Sequence, residues 1–337
     1  MIWGMLIIGL ILVILLQLLT RNRDLPILEA DRHAGSVLTE PDKTFPLQVT
    51  LTNRSRWPVP HAGVRGNVHF SREGSFSFTT WLLPHQQVRR EFPLTVPNRG
   101  RYLFGDIQVF CGDFLGLQES TKTCGSYQEI VVAPTPLPGC RAEILMGGFL
   151  GDISTRRFIL EDPMLTLGYR EYTSRDPMKR IAWNQTARKN TLMVKQSDYT
   201  VEPSVSVIVN VQTDLTYWEE PLENCFRAAR SVCELLEQKG IHYSFSTNTR
   251  LLGRRHTNSG ISGLGQRHFH DVLEMLGRSC REYTSTLDQL LEQELQRPGY
   301  SGRILITPGG GETNTHLIGR LQESEPLLVV KGTEAGL

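Results

Sequence analysis

The sequence predicts a multidomain chain: an N-terminal transmembrane helix, then an all-β sandwich, then an α/β doubly wound domain. Three observations carry that expectation. The first nineteen residues hold no charge. Between Phe45 and Val132 the apolar residues recur with a period of two, the period of a half-buried strand. After Ser204, continuous β-branched runs alternate with stretches of helical period, as in a parallel sheet covered by helices.

Composition narrows the classes. The chain has 337 residues, room for two or three domains at about 100–200 residues each. Lys plus Arg is 36 against 35 for Asp plus Glu, a net charge of +1. A general nucleic-acid binder usually carries a basic excess, so no nucleic-acid partner is expected. Hydrophobic residues at 39% and charged residues at 21% describe a globular chain and exclude wholesale disorder. Six Cys, no two in CxxC spacing, exclude a disulfide scaffold and the thiol zinc-finger patterns.

Residues 1–20 read as the anchor. Met1 to Leu19 at about 1.5 Å per residue roughly matches a hydrocarbon core of about 30 Å. A cleaved signal peptide, the alternative, would show a basic start and an A-x-A-like site, and neither is present. Arg21 and Arg23 follow the run, so the positive-inside bias places the soluble part in the cytoplasm of a single-pass cell-membrane protein.

Residues 21–138 read as an immunoglobulin-like sandwich. Phe45, Leu47, Val49 and Leu51 alternate with Pro46, Gln48, Thr50 and Thr52. Similar runs follow at Val64–Phe70, Ser75–Leu83, Val88–Val96, Tyr102–Phe110 and Gln128–Val132, separated by turn formers such as Gly74, Pro84 and Asn98-Arg99-Gly100.

Residues 139–200 form a connector whose centre is strongly basic. From Arg170 to Lys195, seven basic residues (Arg170, Arg175, Lys179, Arg180, Arg188, Lys189, Lys195) face only Glu171 and Asp176. Asp176-Pro177 has the form of a helix start, with Asp capping and Pro in the first turn. One reading is a recognition surface for phosphate, anionic lipid or an acidic partner. The other is internal: Arg170 and Arg180 pair with Glu171, Asp176 or buried carbonyls, and Trp183 belongs to the core.

This stretch, R-E-Y-x-x-x-D-P-M-K-R-I-x-W-x-x-x-A-R followed by L-M-V-K, resembles the signature of the bacterial domain-of-unknown-function family 58. Leu51–Ser55, Asn98–Tyr102 and Asp113-Phe114-Leu115-Gly116-Leu117 are similar to the family's other conserved stretches. The chain departs from the pattern at Ser174-Arg175, at Ala182, and in having one apolar span where many members have a pair. The resemblance implies a membrane-anchored protein with a von Willebrand factor A-like C-terminal domain, working with a MoxR-type AAA+ ATPase.

Residues 201–337 carry the α/β pattern. Val205–Val211 is a buried-strand run. Trp218, Leu222, Cys225, Phe226, Ala229, Val232, Cys233 and Leu236 mark one face of a helix, and Gly240 ends it. Ile241–Phe245, Arg303–Thr307 and Leu327–Val330 are further strands, and Phe269–Leu276 and Leu287–Leu295 are helices. The family resemblance implies a metal site at the strand ends. Its positions hold Asn210, Gln212 and Asp214, with Pro308 where a second Asp is usual. With one carboxylate left, no Mg²⁺ is expected.

Other constellations are weaker. Gly309-Gly310-Gly311 lacks the Lys and Ser/Thr of a phosphate loop. His268 and His270 diverge on a helix. Cys225 and Cys233 lie eight apart on one helix face, consistent with small apolar packing. Ser259–Gly263 lacks a nucleophile-elbow context. No catalytic residue and no cofactor is expected. The function expected is therefore a non-enzymatic membrane-anchored adaptor, with Arg170, Glu171, Tyr172, Asp176, Arg180, Trp183 and Arg188 as its binding or structural signature and a MoxR-type AAA+ ATPase as partner. The alternatives are a cell-envelope enzyme with a site between domains, and an anionic-lipid surface module.

Overall fold

The computed structural model describes residues 2–21, 28–34, 38–115, 118–125, 127–139, 141–157, 162–173, 176–198, 204–253, 260–297, 299–309 and 315–335. Arg23, Arg175, Ser259, Gly310 and Gly311 lie outside them, as does the side chain of Arg180. The chain divides into two units, Met1–Thr135 and Pro136–Leu337.

The first unit is β-rich. After helix α1 (Ile2–Arg21) come β1 (Leu28–Ala34), β2 (Leu38–Thr39), β3 (Thr44–Asn53), β4 (Val59–Asn67), β5 (Ser75–Leu82), β6 (Gln87–Thr95), β7 (Gly100–Leu103), β8 (Ile107–Gly112), β9 (Glu119–Cys124) and β10 (Glu129–Val132). They form sheets ordered β1-β3-β6, β5-β4-β8-β9 and β2-β10-β7. Strand alternation explains the core. Leu47, Val49 and Leu51 of β3 point inward and meet Ala62, Val64, Ile107, Val109, Ile130 and Val132. Gly63 sits where a Cβ would lie 2.3 Å from the carbonyl oxygen of Phe78 and 2.4 Å from the Phe110 ring, so only glycine lets those neighbours close over β4.

The second unit opens with α2 (Arg141–Arg157), β11 (Asp162–Glu171), α3 (Trp183–Lys189) and β12 (Met193–Asp198). It continues with β13 (Ser204–Val209), α4 (Glu219–Gln238), β14 (His242–Thr247), β15 (Thr249–Leu251), β16 (Ile261–Gly263), α5 (Gln266–Arg278), β17 (Ser279–Tyr283), α6 (Leu287–Leu295), β18 (Gly302–Thr307), α7 (Thr315–Ser324), β19 (Leu327–Lys331) and α8 (Gly332–Ala335). The main sheet is ordered β16-β14-β13-β18-β19, all parallel except β16. β13 is apolar on both sides because both faces are covered. Val205, Val207 and Val209 pack with Phe226, Ala229 and Val232 of α4. Ile208 and Leu305 pack with Leu287, Leu290 and Leu291 of α6 and Leu317 and Leu321 of α7. Thr286 and Gln289 close a capping box at the start of α6.

Two parts of the predicted architecture are corrected. The described strands are not one sandwich and one sheet but six small sheets in a mixed α/β chain. The N-terminal transmembrane helix is also overturned, and with it the single-pass anchor: among the described residues, no helix is long and apolar enough to cross a membrane. Within α1, Gln17 is tied to protein: its amide nitrogen donates to the Asp113 carboxylate, and its amide oxygen accepts the Leu115 N–H at 3.0 Å.

Gly332 supplies a test of this packing. A Cβ there would lie 2.1 Å from the Pro221 carbonyl oxygen and 2.7 Å from Cys225 Sγ. Gly332→Ala therefore lowers stability by about 1–3 kcal/mol. Gly319→Ala in α7 meets no atom within 4 Å and gains up to about 1 kcal/mol of helix propensity. Denaturant midpoints of the two variants should move in opposite directions.

Candidate functional site

The signature stretch folds into a clasp of its own. β11 and β12 pair antiparallel, with Arg170 opposite Val194 and Glu171 opposite Met193. The 21 residues between them return by a 3-10 turn at Met178–Arg180 and the helix α3. Ile181 bridges Val194, the Ala182 N–H donates to Met193 O at 2.8 Å, and the Tyr172 N–H donates to Leu192 O at 2.8 Å. The Met193 N–H donates to Thr186 Oγ1 at 3.0 Å. Asn190 ends α3 in the left-handed region, at φ 56°, a conformation Asn tolerates.

One ion pair locks the entry to this clasp. The Arg170 guanidinium donates from Nη1 to Asp176 Oδ2 at 2.8 Å and from Nη2 to Oδ1 at 2.5 Å. Thr173 adds its N–H at 2.9 Å and its hydroxyl at 2.7 Å to Oδ2. The Arg170 hydrogen bonds, then those from Thr173, hold the Asp176 carboxyl far below the usual carboxylate range, and the same contact raises Arg170. Asp176 therefore does not cap a helix as its Asp-Pro context predicts. The 3-10 turn after Pro177 has no side-chain cap, because the carboxylate is committed to Arg170.

Trp183 is also corrected. It is 68% exposed, because α3 is only seven residues long and buries none of them. Met178, Leu192 and Tyr169 are exposed on the same clasp, as are Arg188 and Lys189 in the last turn of α3. Glu171 is exposed and Tyr172 half-buried. The clasp thus buries its backbone bonds and presents an apolar and basic surface.

The strand-end positions form a second, different arrangement. Asn210 is 1% exposed; its Nδ2 donates to Gln212 O and to Thr307 Oγ1, both at 3.1 Å. Its Oδ1 accepts from Asn248 Nδ2 at 2.8 Å and from the Gln212 N–H at 3.0 Å. Asn248 Oδ1 accepts the Val211 N–H at 2.9 Å, and Gln212 Oε1 accepts the Leu287 N–H at 2.9 Å at the start of α6. These oxygens are spent on protein donors, while Asp214 is exposed. Among the described residues, no three His, Cys, Asp or Glu side chains are grouped to hold a metal ion. Asn248 and Thr307 went unmarked in the sequence: the buried strand ends before them were the available signal, since polar groups buried there need partners.

The remaining candidates are structural. His268 packs on the Tyr243 ring, centroids 4.6 Å apart, and burial lowers its pKa, while His270 on the same helix is exposed. Burial pushes the Cys225 thiol up to about 12 and raises Cys233 as well, the opposite of activation. A cavity of about 410 Å³ lies between α2 and α4. Its Ser231 hydroxyl accepts the Leu137 N–H at 2.7 Å, and no His lines it.

No family model matches the chain, and no curated protein matches it. Solved structures give partial likenesses. A CARDB domain from Pyrococcus furiosus, in complex with di-metal ions, is 18% identical over 31% of this chain and 91% of that one, with a TM-score of 0.24. An alkylpurine DNA glycosylase from Pseudomonas fluorescens, bound to DNA containing an abasic site analog, is 12% identical over 32% of this chain and 30% of that one, with a TM-score of 0.21. Likenesses this partial carry no argument about function.

Two outcomes are expected. The Asp176 contribution is complete above about pH 4, where a free carboxyl is ionised, and it declines as pH falls from there toward the lower folded value. Hydrogen-exchange protection of the Tyr172 and Ala182 amides should fall over that acid range in the native chain. In Asp176→Asn it should be weak already at pH 7. Asn248→Ala strands the Val211 N–H, which costs about 1–3 kcal/mol in a denaturation midpoint.

Proposed function

We propose that the chain is a non-enzymatic adaptor that grips a protein partner through the clasp, and that it belongs with the family 58 proteins whose signature its clasp resembles. The observation that carries the reading is the exposed Trp183, with Met178, on a frame locked by the Arg170–Asp176 pair. Exposed tryptophan costs solvation without a partner, and aromatic and Arg side chains are the usual anchors of protein interfaces. Arg188 and Lys189 beside it suit an acidic partner surface. The partner proposed is a MoxR-type AAA+ ATPase, because that is what the family resemblance implies.

The test is retention of that ATPase on the tagged full chain, with and without ATP. Trp183→Ser and Arg188→Glu/Lys189→Glu should each weaken retention by about tenfold or more, the scale of one interface anchor. Both variants should keep the native melting temperature, since none of the three residues is buried. Unchanged retention with either variant would remove the clasp as the gripping surface.

A further inference from the structure

The cavity of about 410 Å³ in the second unit lies between α4 and the start of α2. On α4 it is lined by Ser231, Glu234, Leu235 and Gln238, which a spacing of three, four and seven residues places on one helix face. Leu137 and Glu143 line it from the other side, Glu143 from the first turn of α2. Its size lies within the range of small-molecule sites, about 300–1,000 Å³.

Its charge is of one sign. Glu143 and Glu234 bring a carboxylate from each helix, and no Lys, Arg or His lines it. Neither carboxylate has a hydrogen bond or ion pair among the described residues. Two carboxylates facing one space repel each other until a cation stands between them. Ser231 points the same way by a different observation. It is 6% exposed, and its Oγ accepts the Leu137 N–H at 2.7 Å. That bond uses a lone pair and leaves the hydroxyl proton, which has no acceptor among the described residues. A buried donor with no acceptor is costly, so this O–H calls for an acceptor inside the cavity. Leu137 and Leu235, both buried, supply apolar wall beside it.

We infer that this cavity binds a small organic ammonium, its charged head between Glu143 and Glu234, its alkyl stem against Leu137 and Leu235, and an oxygen of the ligand accepting the Ser231 proton. An ammonium only donates, so it suits the two carboxylates and the Gln238 amide oxygen but cannot take the Ser231 proton. The ligand therefore carries an acceptor as well. Ser231 and Glu234 are three residues apart, a rise of about 4.5 Å along α4, which sets the spacing of head and acceptor. A divalent metal fits less well. Mg²⁺ and Ca²⁺ ask for about six or more oxygen ligands, and no three His, Cys, Asp or Glu side chains are grouped for a metal among the described residues. The cavity uses no residue of the clasp, so it stands apart from the adaptor reading.

The test is calorimetric titration of the full chain with 4-aminobutan-1-ol, which has the ammonium, the stem and the oxygen. One saturable site is expected. Pentan-1-ol, with a methyl group in place of the ammonium, should bind at least about tenfold more weakly. Pentan-1-amine, which lacks the oxygen, should bind about threefold more weakly. Glu143→Gln/Glu234→Gln keeps the shape of the walls and should lower the affinity for the amino alcohol by about tenfold or more, whereas Trp183→Ser should leave it unchanged. If the Gln variant does not fold, the ligand series on the native chain decides. Nα-acetyl-lysine methylamide presents the same head on a protein-like stem. Tighter binding than the amino alcohol assigns the head to a lysine of a protein, and weaker binding assigns it to a free amine. Equal binding of pentan-1-ol and the amino alcohol would overturn the inference. So would unchanged affinity in a folded Gln variant, Ca²⁺ binding tighter than every amine, or no saturable binding by about 10 mM.

Discussion

Asn53, Asp113, Asp176 and Asn248 each place a short polar side chain at or near a strand end, and each binds main-chain groups with it, Asp176 alongside its pair with Arg170. The constraint behind them is backbone satisfaction. A loop that folds back over a sheet edge buries N–H and C=O groups that no ladder can reach, and leaving one unpaired costs about as much as a hydrogen bond lost. An amide or carboxylate one or two bonds from the chain is short enough to reach them. The turns that face outward depend on this device: those of Trp57 and Leu83 are held by Asn53, and the clasp is closed at its entry by Asp176.

The two units bury their apolar groups by different periods. In the first, β3 alternates, so one face is core and the other carries Gln48, Thr50 and Thr52. In the second, β13 is covered on both faces, and its apolar run is nearly continuous. That difference decides where polar side chains can stand. At the ends of β13 and β18 the cover stops, and Asn210, Asn248 and Thr307 make a closed set of bonds in place of an open ring of oxygens. The arrangement holds the strand ends to the start of α6 through Gln212.

Exposure is where function enters. A folded chain can leave single apolar residues in water at little cost. The clasp differs in that bonds from locked residues hold large apolar groups outward. That presentation is rigid, and rigidity lowers the entropy lost when a surface is covered.

By itself the sequence determined the elements whose periodicity is strong: the alternation of β3, the buried run of β13, the apolar face of α4, and Leu287–Leu295 as a helix with the limits it has in the fold. It also named Arg170 and Arg180 as arginines that could pair with Glu171, Asp176 or buried carbonyls, without choosing among them. Tertiary structure alone decided that Asp176 turns to Arg170 and not to a helix start, that Trp183 is exposed, and that Gln17 is held by Asp113. It also decided that the described strands divide among six sheets. The physical reason is common to these cases. Periodicity records which side chains share a face, but whether anything covers that face depends on chain segments far away in sequence, and only the folded chain brings them together.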